Sequence, residues 1–279
     1  MKIGNIVENF VVPPHPKGVV LDGVNVRLEP LNVDSHVHDL FEANSIDKEG
    51  LNWIYLPYGP FATVQSFSNW LQEHERKDDP IFFSIIRKTD GKAIGVASYL
   101  RINPSNGSIE VGHINYSPLL QRTKEGTEAM YLMMKWVFEN GYRRYEWRCN
   151  ALNQRSRNAA QRLGFSYEGV FRQMMIAKGR NRNTAWFAAI DKEWGALSEC
   201  FIKYLSEDNF TDDGKPKISL SSLTKPVLYK TDNMDFSYRN SIIKKNPNRY
   251  IVLSSKFKLN NKTDNIDQLI LKMKNRVKE

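Results

Sequence analysis

The chain has 279 residues, of which 41% are hydrophobic and 25% charged, a composition typical of a globular protein with a sizeable core. No segment approaches the roughly 18 consecutive apolar residues of a membrane helix, and prolines interrupt residues 1–18 where a signal peptide needs an apolar run, so we predict a cytoplasmic protein without membrane contacts. The net charge is +9, and residues 207–279, with 15 basic and 9 acidic side chains, carry +6 of it. Because acidic residues are interspersed among the basic ones, this excess does not predict specific nucleic-acid binding.

A leader over residues 1–18 is followed by a segment with the alternation of a half-buried strand. Apolar and polar residues alternate through residues 19–31, with a turn at Gly23. The next segment has helical spacing, and Asp34 and Ser35 are its candidate N-terminal caps.

A second helix and three strands come next. Thr63 is the candidate cap of this helix, which an aromatic loop, WIYLPYGPF at residues 53–61, precedes. Three apolar runs separated by turn residues then predict an antiparallel meander. These runs are IFFSIIRK, AIGVASYLRI and SIEVGHINYS.

The period of the pattern changes again at residue 124. A helix that ends at Gly141 is predicted by KEGTEAMYLMMKWVFENGY. The strand RRYEWRCN and a helix over residues 153–163 follow it. Two strands around the turn GRNRN and a last helix complete the order. A helix thus connects SIEVGHINYS to RRYEWRCN, so the two strands should pair in parallel. The order predicts an α/β fold with one mixed, mostly antiparallel sheet flanked by helices.

Composition divides the chain into four parts. The leader, residues 1–18, is followed by the α/β domain at residues 19–206, a linker at residues 207–219 and a basic extension at residues 220–279 that is either a small α+β unit or partly disordered.

The junction between SIEVGHINYS and the following helix has the features of an anion-binding site. A glycine-containing turn at a helix N-terminus directs backbone N–H groups outward, and the helix dipole favours an anion there. A diphosphate would fit this turn, which runs QRTKEG from Gln121 to Gly126.

This turn is similar to the coenzyme-A-binding motif of the Gcn5-related N-acetyltransferase (GNAT) family, which reads Gln or Arg, two residues, Gly, one residue, Gly or Ala. Gln121 and Gly126 match, whereas Lys124 stands at the first glycine position, where it either weakens the approach of the backbone or adds a cation for the pyrophosphate. From about Val20 to Trp194 the chain resembles the RimJ/RimL-like branch through TEAM, EWRCNALNQRSRNAAQRLGF, YEGVFR and GRNRNTAW.

The resemblance implies acetyl transfer from acetyl-coenzyme A to a primary amine, on a protein N-terminus or a small molecule, by direct attack in a ternary complex within a monomer or homodimer. It also implies that the sheet splays between SIEVGHINYS and RRYEWRCN, with the pantetheine arm of the cofactor in the gap. The cofactor-binding residues that it implies are Ile114, Asn115, Tyr116, Gln121, Arg122, Thr123, Lys124, Glu125, Gly126, Thr127, Asn153, Ser156 and Asn158.

Acetyl transfer requires a neutral amine, so a carboxylate or a histidine must take its proton. The candidates, in order, are Glu110, His113 and Glu146. In a regular strand Glu110 and His113 point to opposite faces, so both serve one cleft only if a bulge intervenes. The alternatives are an exposed sheet residue, a core histidine and a salt-bridge partner, respectively.

The leaving thiolate and the acceptor pocket have weaker signals. Many family members protonate the thiolate with a tyrosine, but the corresponding residue here is Ala160. Ser156 is therefore the candidate acid. The alternatives are that Ser156 only holds the cofactor or that the thiolate leaves unaided. Trp53, Tyr55 and Tyr58 are expected to line the acceptor pocket, with core packing as the alternative for each. The basic turn GRNRN, with Arg180 and Arg182, either contacts substrate or coenzyme phosphate or is a solvated hairpin.

Lys124 and Ala160 keep open a catalytically silent acyl-coenzyme-A-binding or protein-interaction module. Two cysteines without a CxxC pair predict neither a disulfide framework nor a metal site. The basic extension, residues 220–279, resembles a fragment of UDP-N-acetylenolpyruvoylglucosamine reductase (MurB) through FSYRNSIIKKNPNRYIVLSSKFKL at residues 236–259, with chance similarity as the alternative. This fragment lacks that family's flavin domain and catalytic serine, so no reductase activity is predicted.

Overall fold

The computed structural model describes residues 3–224, which form one sheet with helices on both faces. The strands are β1 Leu21–Asp22, β2 Val26–Pro30, β3 Ile81–Arg87, β4 Ala93–Asn103, β5 Ser108–Tyr116, β6 Arg144–Asn150, β7 Ser166–Ala177 and β8 Arg180–Ile190. The helices are α1 Val33–Ser45, α2 Val64–Glu75, α3 Lys124–Glu139, α4 Gln154–Arg162, α5 Asp191–Leu205 and α6 Leu220–Thr224, with 3₁₀ turns at Leu51–Trp53, Pro104–Asn106 and Glu207–Asn209.

The sheet has eight strands in the order β1-β2-β3-β4-β5-β6-β8-β7, and only the β5–β6 pair is parallel. The predicted class, an α/β fold with one mixed, mostly antiparallel sheet, is therefore confirmed. The first predicted strand segment forms two short antiparallel strands, β1 and β2, and the chain reverses between them after Gly23, at the predicted turn.

Two helix starts show how local polar groups determine the boundaries. Thr63 caps α2 as predicted, and its hydroxyl accepts a hydrogen bond from the Ser66 N–H at 3.2 Å. The predicted cap of α1 is wrong: Asn32 caps it, with its side-chain oxygen 2.9 Å from the Ser35 nitrogen. Asp34 and Ser35 thus lie within the first turn of the helix.

Each face of the sheet has its own apolar core. On one face, α3 and α5 cover large buried side chains that include Tyr99, Tyr145 and Phe187. On the other face, which we call the acceptor face, α1 and α2 pack on β3 and β4 through residues such as Leu40 and Phe82. Burial of each such apolar side chain contributes about 1.5–3 kcal/mol to the free energy of folding. The two apolar layers therefore both stabilise the sheet.

The sheet opens between its two parallel strands. β5 and β6 pair only from Ser108 with Arg144 to Val111 with Trp147, although both strands continue beyond that point. At the opening, β5 contains a bulge: Gly112 pairs with Ser98 and Asn115 with Val96, so two residues of β5 lie opposite one of β4.

Segments at both ends of the described region pack against this domain. In the leader, the Pro14 carbonyl accepts a hydrogen bond from the Tyr142 hydroxyl at 3.0 Å. In the segment that composition assigned to a linker, Asn209 is buried, and its side-chain nitrogen donates to the Tyr204 carbonyl at 2.9 Å. The MurB-like segment, residues 236–259, lies outside the described residues.

None of the helices described between residues 3 and 224 combines the length and apolar character that crossing a bilayer requires.

Candidate active site

The turn between β5 and α3 is built around a capped helix start. The Thr123 hydroxyl accepts a hydrogen bond from the Gly126 N–H at 3.0 Å and donates one to the Leu120 carbonyl at 2.8 Å. Arg122 takes a left-handed conformation, with φ of 61°. The predicted anion-binding segment, Gln121–Thr127, is thus a tight turn that leads into the first turn of α3, where backbone N–H groups lack intrahelical partners.

Gly126 allows the backbone of this turn to approach the sheet. A Cβ atom at this position would lie 2.6 Å from the Leu120 carbonyl oxygen and 3.0 Å from the Tyr116 ring. The Tyr116 hydroxyl also donates a hydrogen bond to the Gly126 carbonyl at 2.9 Å. Only glycine fits this packing, which gives the second glycine of the motif a physical reason.

Two other residues of the turn contact protein groups. The Gln121 side-chain nitrogen donates to the Tyr116 carbonyl at 2.8 Å and to the Asn52 side chain at 2.7 Å. The Lys124 ammonium lies over the Phe210 ring, 4.7 Å from its centre. Gln121 therefore connects the α1–α2 loop to the end of β5, and Lys124 is directed toward the segment after α5.

On the other side of the opening, α4 begins beside β6. Asn153 caps α4, its side-chain oxygen lying 3.1 Å from the Ser156 nitrogen. The Ser156 hydroxyl oxygen accepts a hydrogen bond from the Trp147 indole N–H at 3.0 Å, so its own hydrogen is available to another group. Asn158 is exposed, and Ala160 is fully buried.

The three residues implied for the pantetheine arm, Ile114, Asn115 and Tyr116, lie on β5 beyond the last pair with β6. Asn115 is only 2% exposed, and the Asn115 side-chain N–H has no partner among residues 3–224. The structure therefore leaves an unpaired stretch of strand, and beside it a buried donor, at the position where an extended arm would pair with the backbone.

Glu110 and Glu146 are neighbours in the parallel register of β5 and β6. Glu110 is 3% exposed, and its carboxylate oxygens lie 2.9 Å from a terminal nitrogen of Arg101 and 2.8 Å from Arg148 Nε. Burial raises the pKa of Glu110 to about 7, against the opposing effect of the two guanidinium groups. Glu110 therefore exchanges a proton in the neutral range.

Glu146 forms ion pairs with two arginines. Its carboxylate binds Arg144 Nε at 2.6 Å and also pairs with Arg148, and Arg144 binds Glu168 in turn. The expectation of a salt-bridge partner for Glu146 thus holds in the structure, with arginines on its own strand.

The bulge in β5 brings His113 to the same face as Glu110. Phe82, Ser98 and Gly112 face each other across β3, β4 and β5, and Glu110 lies two residues before Gly112, so all four share the acceptor face. His113 has a left-handed φ of 50°, and its ring lies 5.2 Å from the Phe82 ring on that face. The irregular backbone meets the condition under which both candidate bases serve one cleft.

His113 is held as a neutral ring. Its Nδ1 lies 3.0 Å from the Tyr58 hydroxyl, and the two rings are stacked at 5.7 Å. Burial lowers the pKa of His113 to about 4. At neutral pH this histidine is therefore uncharged and only weakly basic.

The aromatic loop contributes three side chains with different environments. Trp53 is 5% exposed and packs in the core beneath α1 and α2. Tyr58 contacts His113, and Tyr55, which is exposed, donates a hydrogen bond to the Leu152 carbonyl at 3.2 Å. Of the three, Tyr58 lies nearest to the candidate bases.

The tip of the β7–β8 hairpin closes over this loop. The Lys178 ammonium donates to the carbonyl oxygens of Trp53 at 2.9 Å and Gly59 at 3.1 Å. We call this contact, together with the Tyr55–Leu152 hydrogen bond, the clasp. It joins the loop to two segments that follow β6 in the chain, both on the β6 side of the opening in the sheet.

Sequence reasoning did not identify Arg101, Arg148 and Lys178 as parts of the site. Arg148 had a signal, because Arg144, Glu146 and Arg148 alternate on one face of a strand. Arg101 and Lys178 had none, since Arg101 reaches Glu110 from the neighbouring strand and Lys178 reaches its partners through a hairpin fold. Within residues 3–224, no three His, Cys, Asp or Glu side chains come together as metal ligands.

Comparison with known proteins assigns the chain to a family. The family of the acetyltransferase (GNAT) domain matches residues 25–166, and the chain belongs to this family of acetyl-coenzyme-A-dependent acetyltransferases. A comparison with curated protein sequences finds no match.

Solved structures agree with this assignment. A GCN5-related N-acetyltransferase from Brucella melitensis is 43% identical with a TM-score of 0.76, and the match covers 78% of this chain and 99% of that one. A probable acetyltransferase (GNAT family) from Chromobacterium violaceum is 37% identical, with a TM-score of 0.66 over 70% of this chain and 98% of that one. RimL, a ribosomal L7/L12 alpha-N-protein acetyltransferase in complex with coenzyme A, is 20% identical with a TM-score of 0.53, over 62% and 99% of the two chains, and shares the fold.

Proposed function

We propose that this acetyltransferase transfers the acetyl group of acetyl-coenzyme A to a primary amine by direct attack in a ternary complex. The observation that carries the proposal is the position of Glu110, a buried carboxylate with a pKa of about 7, on the strand whose end forms the cofactor turn. Family membership supports acetyl-coenzyme A as the acetyl donor. A cleft that contains both the cofactor turn and the candidate base supports direct attack by the amine on the bound donor.

The described residues fit the cofactor. The Gly126 cradle and the first turn of α3 suit a pyrophosphate, and β5 beyond its last pair with β6 suits the pantetheine arm, with Asn153 and Ser156 on the opposite side. Bound acetyl-coenzyme A supplies the thioester carbonyl that the amine attacks. A backbone N–H in the opening would stabilise the negative charge that develops on the carbonyl oxygen.

Glu110 is the best candidate for the general base. A base with a pKa near the working pH combines a useful deprotonated fraction with proton affinity, and the pKa of about 7 satisfies this condition. His113, with its pKa near 4, is a poor proton acceptor and instead positions Tyr58. Glu146 is engaged by two arginines, so each of its carboxylate oxygens already has a partner within the protein.

Ser156 is the candidate acid for the leaving thiolate. Its oxygen accepts from the Trp147 indole, so its O–H remains as a donor, and the Cys149 thiol is a protein group within its reach. This role requires no tyrosine on α4, where Ala160 is buried in the core.

The motifs from Thr127 to Trp186 support membership of the RimJ/RimL-like branch, with a protein N-terminus or a small molecule as acceptor. We further propose that the enzyme acts in the cytoplasm as a monomer or homodimer.

The test has two stages. Acetyl-coenzyme A at a hundredfold excess over its dissociation constant should stabilise the protein by about 2.7 kcal/mol, measured as a shift of the thermal midpoint. Release of free thiol from acetyl-coenzyme A should then depend on an added amine, across a panel of amino acids, peptides and polyamines. A shift without amine-dependent thiol release would favour the silent binding module, and no shift at millimolar cofactor would contradict both proposals.

A further inference from the structure

The charged side chains near Glu110 form a network of ion pairs, and one nearby arginine takes part in none of them. Three carboxylates, Glu110, Glu146 and Glu168, are matched by three guanidinium groups in the five ion pairs of this cluster, those of Arg101, Arg144 and Arg148. Arg182 lies close enough to interact electrostatically with Glu110 and Arg101. None of the ion pairs among residues 3–224 includes Arg182, so its guanidinium has no direct carboxylate partner there.

Three polar atoms on β8 also have no hydrogen-bond partner in the described part of the chain. They are Arg182 Nε, the Thr184 hydroxyl and Trp186 Nε1, at alternate positions of the strand. Each atom is shielded from solvent, and Thr184 as a whole is only 4% exposed. Buried polar groups without partners are costly, so three of them side by side indicate a partner that is not part of the protein itself.

The register of the sheet places these side chains on the acceptor face. Trp186 pairs with Arg148 and Ala188 with Glu146, which in turn pairs with Glu110. The Arg148 guanidinium lies 3.5 Å over the Trp186 ring, which confirms that both residues point to that face. Thr184 and Arg182 follow at period two toward the end where the sheet opens.

We propose that Arg182, Thr184 and Trp186 form a subsite for a carboxylate of the acceptor, so that the substrates are amines that carry a carboxylate group. This inference rests on the proposed function, since it gives the acceptor of the same cleft a chemical class. We call these three residues the Arg182 subsite.

The chemistry of the subsite selects an anion. The guanidinium and indole N–H groups can only donate hydrogen bonds, and the threonine hydroxyl can donate a third. The rings of Trp186 and Phe171 stack at 4.5 Å beside the buried donor atoms, and a charge-assisted hydrogen bond is stronger where its donor is shielded from solvent. A planar carboxylate suits the fork of donors on Arg182, and a neutral amide would not compensate its charge.

The clasp connects the hairpin that carries the subsite to the α1–α2 loop. Lys178 lies on the same hairpin as Arg182, and its ammonium donates to the Trp53 and Gly59 carbonyl oxygens of that loop. A bound carboxylate would satisfy the buried donors of the subsite.

The experiment measures binding, so it does not depend on turnover. Protein saturated with coenzyme A is titrated calorimetrically with leucine, phenylalanine and glutamate, and with the carboxamide of each. The free acids should bind at least about tenfold more tightly than their carboxamides, which corresponds to about 1.4 kcal/mol. Arg182→Gln should remove this preference while leaving the affinity for carboxamides within roughly twofold.

Arg180→Gln serves as the matched control, because Arg180 is exposed and lies at the first position of β8, two residues before Arg182. This variant should keep the preference of the wild-type protein. Thr184→Val, which removes one hydroxyl, should reduce the preference partially and tests the subsite without changing a charge.

Each outcome separates the two proposals. Equal affinity for acids and carboxamides, no measurable binding of the acids at millimolar concentration, or a preference that survives Arg182→Gln overturns the subsite, while thiol release with other amines would leave the proposed function intact. Arg182-dependent binding of the acids without any acetylation of them or of other amines contradicts the proposed function, and the subsite stands as a binding site.

Discussion

Glu110→Gln should change how the stability of the protein depends on pH. The pKa of Glu110 rises from 4.5 to about 7 on folding because the carboxyl group is buried. A raised carboxyl pKa means that the folded state binds the proton more tightly, so the stabilisation is complete below pH 4.5 and is lost as the pH rises through 7. At 1.36 kcal/mol per pKa unit, the loss is on the order of 3 kcal/mol, and glutamine, which does not titrate, should not show it.

The assay is urea unfolding of the wild-type protein and the variant between pH 4.5 and 8. The free energy of unfolding of the variant, minus that of the wild type, should increase by about 3 kcal/mol across this range. Only the change with pH is diagnostic, because the constant part includes the lost ion pairs with Arg101 and Arg148. Glu139→Gln, at an exposed position on α3, is the control and should give a flat difference. A flat or falling difference for Glu110→Gln would refute burial as the dominant effect.

Three further substitutions test the architecture and the chemistry. Glu128→Ala should lower the free energy of unfolding by about 3 kcal/mol in urea titrations, because the buried carboxylate accepts hydrogen bonds from the three backbone N–H groups of residues 24–26; a loss below about 1 kcal/mol would contradict this role. Gly126→Ala should weaken coenzyme A binding about tenfold by calorimetry and cost about 1–2 kcal/mol of stability, since the Leu120 carbonyl occupies the space of the new methyl group; unchanged affinity would show that the turn relaxes. Ser156→Ala should reduce kcat about 10- to 100-fold in thiol-release assays with little change in KM for acetyl-coenzyme A, whereas a higher KM at constant kcat would assign Ser156 to cofactor binding alone.

The order of the elements was predictable because each depends on a local pattern. Apolar runs between turn residues in β3, β4 and β5, helical spacing in α3 and the hydroxyl of Thr63 all operate over a few residues, and the structure agrees with them. The α1 cap differs by two residues because Asn32, Asp34 and Ser35 are all good caps, and only the path of the chain out of β2 decides among them.

The cleft was predictable only in part, since its geometry depends on contacts between distant segments. The bulge that brings His113 to the face of Glu110 requires a left-handed residue in a strand, which the residue type does not signal. The pairing of Glu110 with Arg101 and Arg148 follows from strand order, which a single sequence indicates weakly. The unpaired donors near Arg182 become visible only when every polar atom of the site has been matched with its partner.

The central claim is that the cleft transfers acetyl groups to amines with Glu110 as the base, and a product measurement tests it most directly. Mass spectrometry of reactions with acetyl-coenzyme A and an amine panel should show the N-acetylated amine in an amount equal to the free thiol released. Glu110→Gln should lower the rate at least about 100-fold while keeping the thermal shift with coenzyme A, and Glu139→Gln should match the wild type. Thiol release without an acetylated amine, or an undiminished rate in Glu110→Gln, would contradict the account.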